Sequence, residues 1–174
     1  MKRREFVGGL AAAVCARHGA RLEQTEWLGF GPTKQKAADL CRHRWVLSID
    51  SDERVTPELR RAIEGLPEQP EAAAYAINRL SRFLGSWIRH CGWHPEYVVR
   101  LFDRERAAFN DKPVHEGIET AGEVGRLDGL LRHYTYETME QYVDKLNRYT
   151  TLAARDMYDA GRRSGPLGAM VRAK

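Results

Sequence analysis

The stretch WVLSIDSDE, residues 45–53, decides the predicted fold. Residues 45–49 are rich in apolar strand formers, which predicts a strand buried on both faces, as in a parallel sheet. Three acidic residues follow at once, namely Asp50, Asp52 and Glu53. Open α/β sheets bind ligands beyond the carboxyl ends of their strands. The stretch therefore predicts a ligand site on an α/β sheet.

The segments on either side predict alternating elements. We expect a strand over residues 20–25, a glycine-rich loop over 27–31, and a helix from Pro32 to about His43. Thr56-Pro57-Glu58 has the hydroxyl cap, proline and acid of a helix start, and that helix ends near Gly65.

The second half predicts shorter elements and then one long helix. Strands are expected over residues 74–78, 97–102 and 130–134. Thr135 is expected to cap a helix that ends at Gly161, with apolar residues at the spacing of one helical face. The chain is interpreted as one domain with a first half (16–66), a second half (73–134) and a final helix (135–163), in the α/β class.

Composition excludes several classes of protein. Hydrophobic residues make up 43% and charged residues 30% of the 174, unlike a disordered chain. The net charge is +4, and the arginines are scattered along the chain, which does not indicate a nucleic-acid partner. A modest positive charge suits a phosphate-bearing substrate or an anionic membrane surface. The three cysteines, Cys15, Cys41 and Cys91, form no CxxC pair and are expected to be buried in a reducing compartment.

The first thirteen residues, MKRREFVGGLAAA, allow two interpretations. Two arginines before a short apolar run resemble a twin-arginine export signal. The same segment also fits an ordinary helix that runs to about His18, with Gly19 just past its end. We favour the helix, because the apolar run stops at Arg17 without a good cleavage site. An exported binding protein stays open as an alternative function.

The carboxylates of residues 50–53 predict a metal site. Acids that are close together repel one another unless a cation neutralises them. Mg²⁺ commonly takes one or two protein carboxylates and completes its shell with substrate phosphate oxygens and water. The alternative is a solvated turn whose acids cap the helix that follows Thr56, and D-x-D alone does not separate the two.

Four longer stretches carry a family resemblance. They are ARHGARLEQTEWLGFGPTKQKA, WVLSIDSDERVTPELRRAIE, GSWIRHCGWHPEYVVRLFDRERAAFNDKPVHEGIE and LLRHYTYETMEQYVDKLNRYTTLAAR. In order and spacing they resemble family 2 glycosyltransferases of the lipopolysaccharide-core heptose glucosyltransferase type, over most of residues 16–156. The resemblance implies a GT-A fold, an inverting transfer from a nucleotide sugar to a lipid-linked saccharide, and a place at the cytoplasmic face of the inner membrane.

The resemblance also implies roles for single residues on the donor side. Asp52 and His133 are expected to bind Mg²⁺ or Mn²⁺, and Asp50 to lie near the nucleotide sugar. Lys34, in GFGPTK, is expected near the phosphates, although an exposed helix lysine explains it nearly as well.

On the acceptor side, the VHE segment makes Glu116 the expected general base, with His115 orienting the acceptor or sharing the proton. The same residues also fit an ordinary loop pair. Four further residues belong to the expected acceptor side, where core tryptophans and a surface arginine are the alternative: Trp87, Trp93, His94 and Arg100.

The chain departs from the family pattern at its start. No strand–helix–strand unit with an Asp-containing loop precedes residue 16, and that unit normally carries part of the nucleotide pocket. A catalytically inactive remnant that binds a partner or a membrane surface is therefore a second hypothesis of function.

Overall fold

The computed structural model describes residues 17–111 and 117–161. These contain three helices, α1 (Phe30–Asp39), α2 (Pro57–Glu64) and α3 (Met139–Asp159), and the following strands: β1 (Trp45–Leu47), β2 (Glu53–Val55), β3 (Ala74–Phe83), β4 (Ser86–Trp87), β5 (Glu96–Asp103), β6 (Ala107–Phe109), β7 (Ile118–Thr120) and β8 (Val124–Tyr136). Most of the predicted N-terminal helix or signal lies outside the described residues, but Arg17 is helical and Gly19 has φ +62°, as expected for a glycine just past the end of a helix. None of the described helices is long and apolar enough to cross a membrane.

The fold is mixed α/β, with a curled main sheet in the strand order β1-β5-β3-β8-β2. Strand β4 adds to β3, and β6 pairs with β7 as a separate small sheet. Within the described sheet, β3 and β8 form the parallel pair, and all other pairs are antiparallel. Helix α3 follows β8 at the end of the described chain.

Strand β1 packs against core residues on both faces, as its apolar run predicts, but it ends at Leu47, Ile49 is 40% exposed, and the strand has no parallel neighbour in the described sheet. Val46 packs in one core cluster with Ala38 and Phe102, whereas Trp45 and Leu47 pack against the other cluster. The strand pairs antiparallel with β5 at one end of the sheet order. The prediction of a parallel pairing was wrong for this structure. A strand between two apolar layers has the same composition whether its neighbour is parallel or antiparallel, so composition does not distinguish the two.

Helix α1 begins earlier and ends earlier than its sequence predicts. Gly29, at φ 106°, is its N-cap, and the helix stops at Asp39. Pro32 therefore lies inside the first turn, where its missing N–H costs no helical hydrogen bond. The strand predicted over residues 20–25 does not form, and all six residues are exposed. They have no buried face that would hold them against the sheet.

Helix α2 confirms its predicted start. The Leu59 N–H donates to the Thr56 hydroxyl at 3.3 Å, and the Leu130 N–H donates to the same oxygen at 3.2 Å. One side chain therefore caps the helix and ties it to β8. Leu59 is fully buried in the core cluster that includes Leu131. At Gly129, with φ +94°, a Cβ would lie 2.3 Å from the Leu59 nitrogen, so this approach requires glycine.

The last helix begins later than predicted. Thr135 belongs to β8, and its hydroxyl donates to the Arg82 carbonyl at 2.9 Å. Thr138 takes the capping role and accepts from the Gln141 N–H at 3.2 Å. The predicted end is confirmed near Gly161, which has φ +68° after the helix ends at Asp159.

Two of the cysteines differ from their prediction. Cys41 and Cys91 are exposed free thiols, not small buried hydrophobes. Both lie outside the core clusters, in irregular segments between regular elements. Cys15 lies outside the described residues.

Candidate functional site

A tight turn between β1 and β2 separates the three clustered carboxylates. The Glu53 N–H donates to the Asp50 carbonyl at 3.0 Å, and the Asp50 N–H donates to the Glu53 carboxylate at 3.0 Å. The Asp52 carbonyl accepts from the Tyr134 N–H at 2.8 Å, which fixes the turn to β8. The three side chains then point to different partners, so the carboxylates of one turn differ in which charged or polar groups surround them.

Arginines neutralise two of these acids from beneath the turn. One Arg100 nitrogen, Nη2, donates to Asp50 at 2.7 Å and to Glu53 at 2.6 Å. The Glu53 side chain is fully buried, and Arg79 Nη1 lies 3.5 Å from its Oε1. Arg100, which the sequence places on the acceptor side, is itself buried and supports the turn. Part of the positive charge expected from a metal is therefore supplied by the protein.

Asp50 is held in its ionised form. Burial acts to raise its pKa, but Arg100 and Lys34 outweigh burial and hold the pKa below its ordinary value. The Lys34 Nζ lies 3.0 Å from Asp50 Oδ1. Asp50 thus joins α1 to the turn, and its contacts are with protein cations.

Asp52 faces outward and meets His133. The His133 Nε2 lies 3.3 Å from Asp52 Oδ2, and Ser81 Oγ lies 3.2 Å from His133 Nδ1. With the proton on Nε2, the neutral ring donates towards Asp52 and accepts from the Ser81 hydroxyl at Nδ1. Burial, then the Arg79 charge, lowers the pKa of His133 against the opposing effect of Asp52 and Glu53. The imidazole is therefore neutral at pH 7.

The lowered pKa of His133 gives a test in the metal-free protein. The unfolded chain takes up this proton first, near pH 6.5. We therefore expect the free energy of unfolding to fall as pH drops below about 6.5, by up to about 1.4 kcal/mol per pH unit. Urea unfolding at several pH values from 8 to 5 measures this change in the free energy of unfolding. In His133→Gln the free energy of unfolding should depend less steeply on pH. An equal pH dependence in the two proteins would contradict the lowered pKa of His133.

Asp52 could contribute a carboxylate to a metal ion, and His133 could contribute its Nε2 lone pair in the tautomer that donates from Nδ1 to Ser81. No group of three His, Cys, Asp or Glu side chains that could hold a metal occurs among residues 17–111 and 117–161. Mg²⁺ in phosphate-binding sites commonly takes only one or two protein ligands. A carboxylate beside a neutral imidazole, with a second-shell hydroxyl at Nδ1, meets that need and also suits Mn²⁺.

A cavity of about 850 Å³ opens in front of this pair. Lys34 and Asp50 lie on one wall, and Lys145 and Arg148 of α3 lie on another. Aromatic rings of Phe30 and Tyr149 also line it, with their centroids 6.4 Å apart. A cavity of this size, with cations on two walls, matches a phosphate-bearing ligand.

The other predicted residues are dispersed. Glu116 and His115 lie outside the described residues. Trp93 and His133 both line a second cavity of about 390 Å³, and the place of Trp93 on the acceptor side stays a prediction. Trp87 packs edge-on against Tyr134 in a different part of the sheet. His94 has a buried Nε2 with no hydrogen-bond partner in the described part of the chain.

Sequence reasoning missed four polar residues at the site. Arg79 and Ser81 alternate on β3, and Lys145 and Arg148 lie on α3. Lys145 interrupts the spacing of Tyr142 and Tyr149 on one helical face, which is a signal that the sequence carried. Arg79 lies just past the end of the predicted strand 74–78, so the sequence gave no comparable signal for it.

The arrangement defines a mixed α/β protein whose cavity offers a carboxylate, an imidazole and several cations to a polyanionic ligand. Its relatives are named as glycosyltransferases. The chain is 29% identical over 157 residues to an uncharacterized glycosyltransferase of Rickettsia typhi, over 83% of this chain and 54% of that protein. It is 32% identical over 145 residues to the lipopolysaccharide core biosynthesis glycosyltransferase LpsC of Rhizobium meliloti, over 79% of this chain and 52% of LpsC.

A third relative, an uncharacterized glycosyltransferase of Rickettsia conorii, is 28% identical over 163 residues, covering 87% of this chain and 58% of that protein. The chain therefore spans about half the length of the curated relatives it matches. No protein-family model matches it.

Proposed function

We propose that this chain is a glycosyltransferase of family 2 with a GT-A fold, which moves a sugar from a nucleotide-diphosphate donor to a lipopolysaccharide-core acceptor. The observation that carries the proposal is the Asp52–His133 pair at the mouth of a cavity with cations on two walls. The names of the relatives support it, since all three are glycosyltransferases and one acts in lipopolysaccharide core biosynthesis.

The donor is proposed to occupy the larger cavity. Asp52 and His133 would hold Mg²⁺ or Mn²⁺, which supplies positive charge to the departing diphosphate when it is bound. Lys34 lies on the same wall as Asp50, and Lys145 and Arg148 face them. These cations orient the phosphates and lower the cost of burying their charge. Arg100 and Glu53 keep the turn that carries Asp52 in place.

The acceptor is proposed to approach from the side of the second cavity, where Trp93 offers an aromatic face for a sugar ring. Its hydroxyl oxygen forms a bond to the anomeric carbon while the bond from that carbon to the diphosphate oxygen breaks. Glu116 takes the hydroxyl proton, and His115 orients the acceptor. A single in-line displacement inverts the anomeric configuration. The lipid-linked acceptor would bring the protein into peripheral contact with the cytoplasmic face of the inner membrane.

Donor binding tests the proposal directly. Titration of the full chain with UDP-glucose and other nucleotide-diphosphate sugars in a calorimeter should give clear binding heat in Mn²⁺, and a Kd about tenfold weaker in EDTA. The same chain with uridine monophosphate should show little dependence on Mn²⁺, since one phosphate offers fewer oxygens to the ion. Binding that is equal with and without metal for every sugar nucleotide would contradict the proposed metal-diphosphate site.

A further inference from the structure

Three arginines lie together on the sheet face opposite to His133. Arg54 and Arg132 are direct cross-strand partners on β2 and β8, and Arg82 of β3 is the partner of Tyr134. Trp87 of β4 is in turn the partner of Arg82. Residues directly opposite each other, and residues two apart on one strand, share a face. These five residues, called the arginine face below, therefore form one surface.

The guanidinium groups lie over the aromatic rings of this surface. The Arg54 Cζ is 4.8 Å and the Arg82 Cζ 5.9 Å from the Tyr134 ring centre. The Arg132 Cζ is 5.6 Å from the Trp87 ring centre, and the two rings are 5.3 Å apart. Stacking on a ring leaves the N–H groups of a guanidinium able to donate in the guanidinium plane, although the Arg82 Nε already donates to the Gly85 carbonyl at 3.1 Å.

The arginine face has no internal counter-ion. Among the described residues, no carboxylate oxygen lies within 4.0 Å of Arg54, Arg82 or Arg132. Glu58 senses the charge of Arg132, but its carboxylate pairs with Arg61 at 3.6 Å. Like charges directly opposite on neighbouring strands oppose folding. The paired arginines thus cost stability unless an anion lies between them.

Two neighbouring cavities, called the groove below, lie between Asp52 and the Arg82 edge of the arginine face. A cavity of about 510 Å³ is lined by Asp52, Tyr134, Tyr136 and Glu137. A cavity of about 330 Å³ shares the last three of these residues and is also lined by Arg82. The two tyrosine rings offer apolar faces against which sugars can pack.

We propose that the arginine face binds the carboxylate or phosphate groups of an oligosaccharide acceptor, at sugars beyond the one that receives the transferred residue. The inference rests on the proposed function, because it takes the oligosaccharide to be the acceptor. The arginine forks bind the oxyanions in the plane of each guanidinium, and Tyr134 and Tyr136 pack against the sugars between. A groove that leads to Asp52 fits an oligosaccharide, whereas a bilayer surface would meet only its outer end.

The test uses a double variant, Arg54→Gln/Arg132→Gln, and a matched control, Arg60→Gln/Arg61→Gln, which removes the same charge from the exposed face of α2. The probe is the lipid-free core oligosaccharide of a bacterial lipopolysaccharide, titrated into the full chain without donor. We expect the double variant to bind about tenfold or more weakly, and the control to match the unchanged protein. An oligosaccharide whose phosphates have been removed and whose carboxyl groups have been reduced should bind poorly to the double variant and to the control.

Stability gives an independent readout. Removing the opposed arginines relieves a like-charge pair but loses the stacking on Tyr134 and Trp87, so the thermal midpoint should change little. A midpoint that falls to the temperature of the binding assay would show that the loss of binding comes from unfolding, and would overturn the proposal. Should the double variant not fold, Arg54→Gln and Arg132→Gln are measured singly, and each is expected to weaken binding by about threefold or more.

Other outcomes of these experiments would contradict either the arginine face or the proposed function. Equal affinity in the double variant and the control, equal binding of the neutralised oligosaccharide, or arginine-dependent binding only to phosphatidylglycerol vesicles would each overturn the proposal. Loss of sugar transfer in all forms, with oligosaccharide binding that still depends on Arg54 and Arg132, would instead count against the proposed function. Active transfer with an unchanged acceptor KM in the double variant would count against the arginine face alone.

Discussion

Replacing Asp52 by Asn is expected to lower sugar transfer by about 100-fold or more, with little change in stability. Its carboxylate is the one acid of the turn that meets His133 and not an arginine or a lysine. The amide keeps the shape of the side chain but loses the negative charge that a divalent ion needs. Transfer from a labelled nucleotide sugar measures the rate, and calorimetry measures the Mn²⁺-dependent binding of the donor.

Asp128→Asn is the matched control for this substitution. Asp128 is an exposed acid on β8, the strand that also carries His133. Both substitutions remove one negative charge, so a general electrostatic effect on a basic protein would appear in each. Because the Asp52 side chain is 39% exposed, its loss should change the free energy of unfolding by less than about 0.5 kcal/mol. Turnover that survives in Asp52→Asn would contradict the role of this residue.

Arg100→Ala is expected to destabilise the fold by about 3–5 kcal/mol. One guanidinium nitrogen serves both Asp50 and Glu53, and the Glu53 side chain has no exposure to solvent. Without Arg100 the Glu53 carboxylate stays buried with only Arg79 nearby, at 3.5 Å. Urea unfolding followed by far-UV circular dichroism measures this loss in the free energy of unfolding.

Two further proteins separate charge from packing at this position. Arg61→Ala, in which the lost side chain is 75% exposed, should cost less than about 1 kcal/mol. Arg100→Met/Glu53→Gln should be more stable than Arg100→Ala, because it also removes the buried charge that the single change leaves unpaired. If Arg100→Ala unfolds at the same urea concentration as Arg61→Ala, the buried pair is not what holds the turn.

The two substitutions divide the acidic turn into a supporting part and a reactive part. Asp50 and Glu53 are bound by protein cations, and their loss should act on stability first. Among the described residues the side chain of Asp52 contacts an imidazole whose pKa is lowered and no arginine or lysine, and its loss should act on chemistry first. A sequence with three acids in four positions does not reveal this division, because it depends on which cation lies beneath each side chain.

Local signals predicted the parts of the fold that depend on neighbours in the chain. The Thr56 cap and the proline after it gave the start of α2, because both act within one helical turn. Gly161 gave the end of α3 for the same reason. The start of α3 was missed because Thr135 and Thr138 are equally suitable caps, and the pairing of β8 with β3 extends the strand past Thr135.

By itself, the sequence determined that an acidic turn follows a strand with apolar residues on both faces, and that the last helix has one apolar face and ends at Gly161. Those features depend on short-range order and on the periodicity of strand and helix. Only the tertiary structure decided that His133 meets Asp52, that Arg100 lies beneath the turn, and that Arg54 stands opposite Arg132. Periodicity gives the face of an element, whereas the partner across that face follows from the register between distant strands.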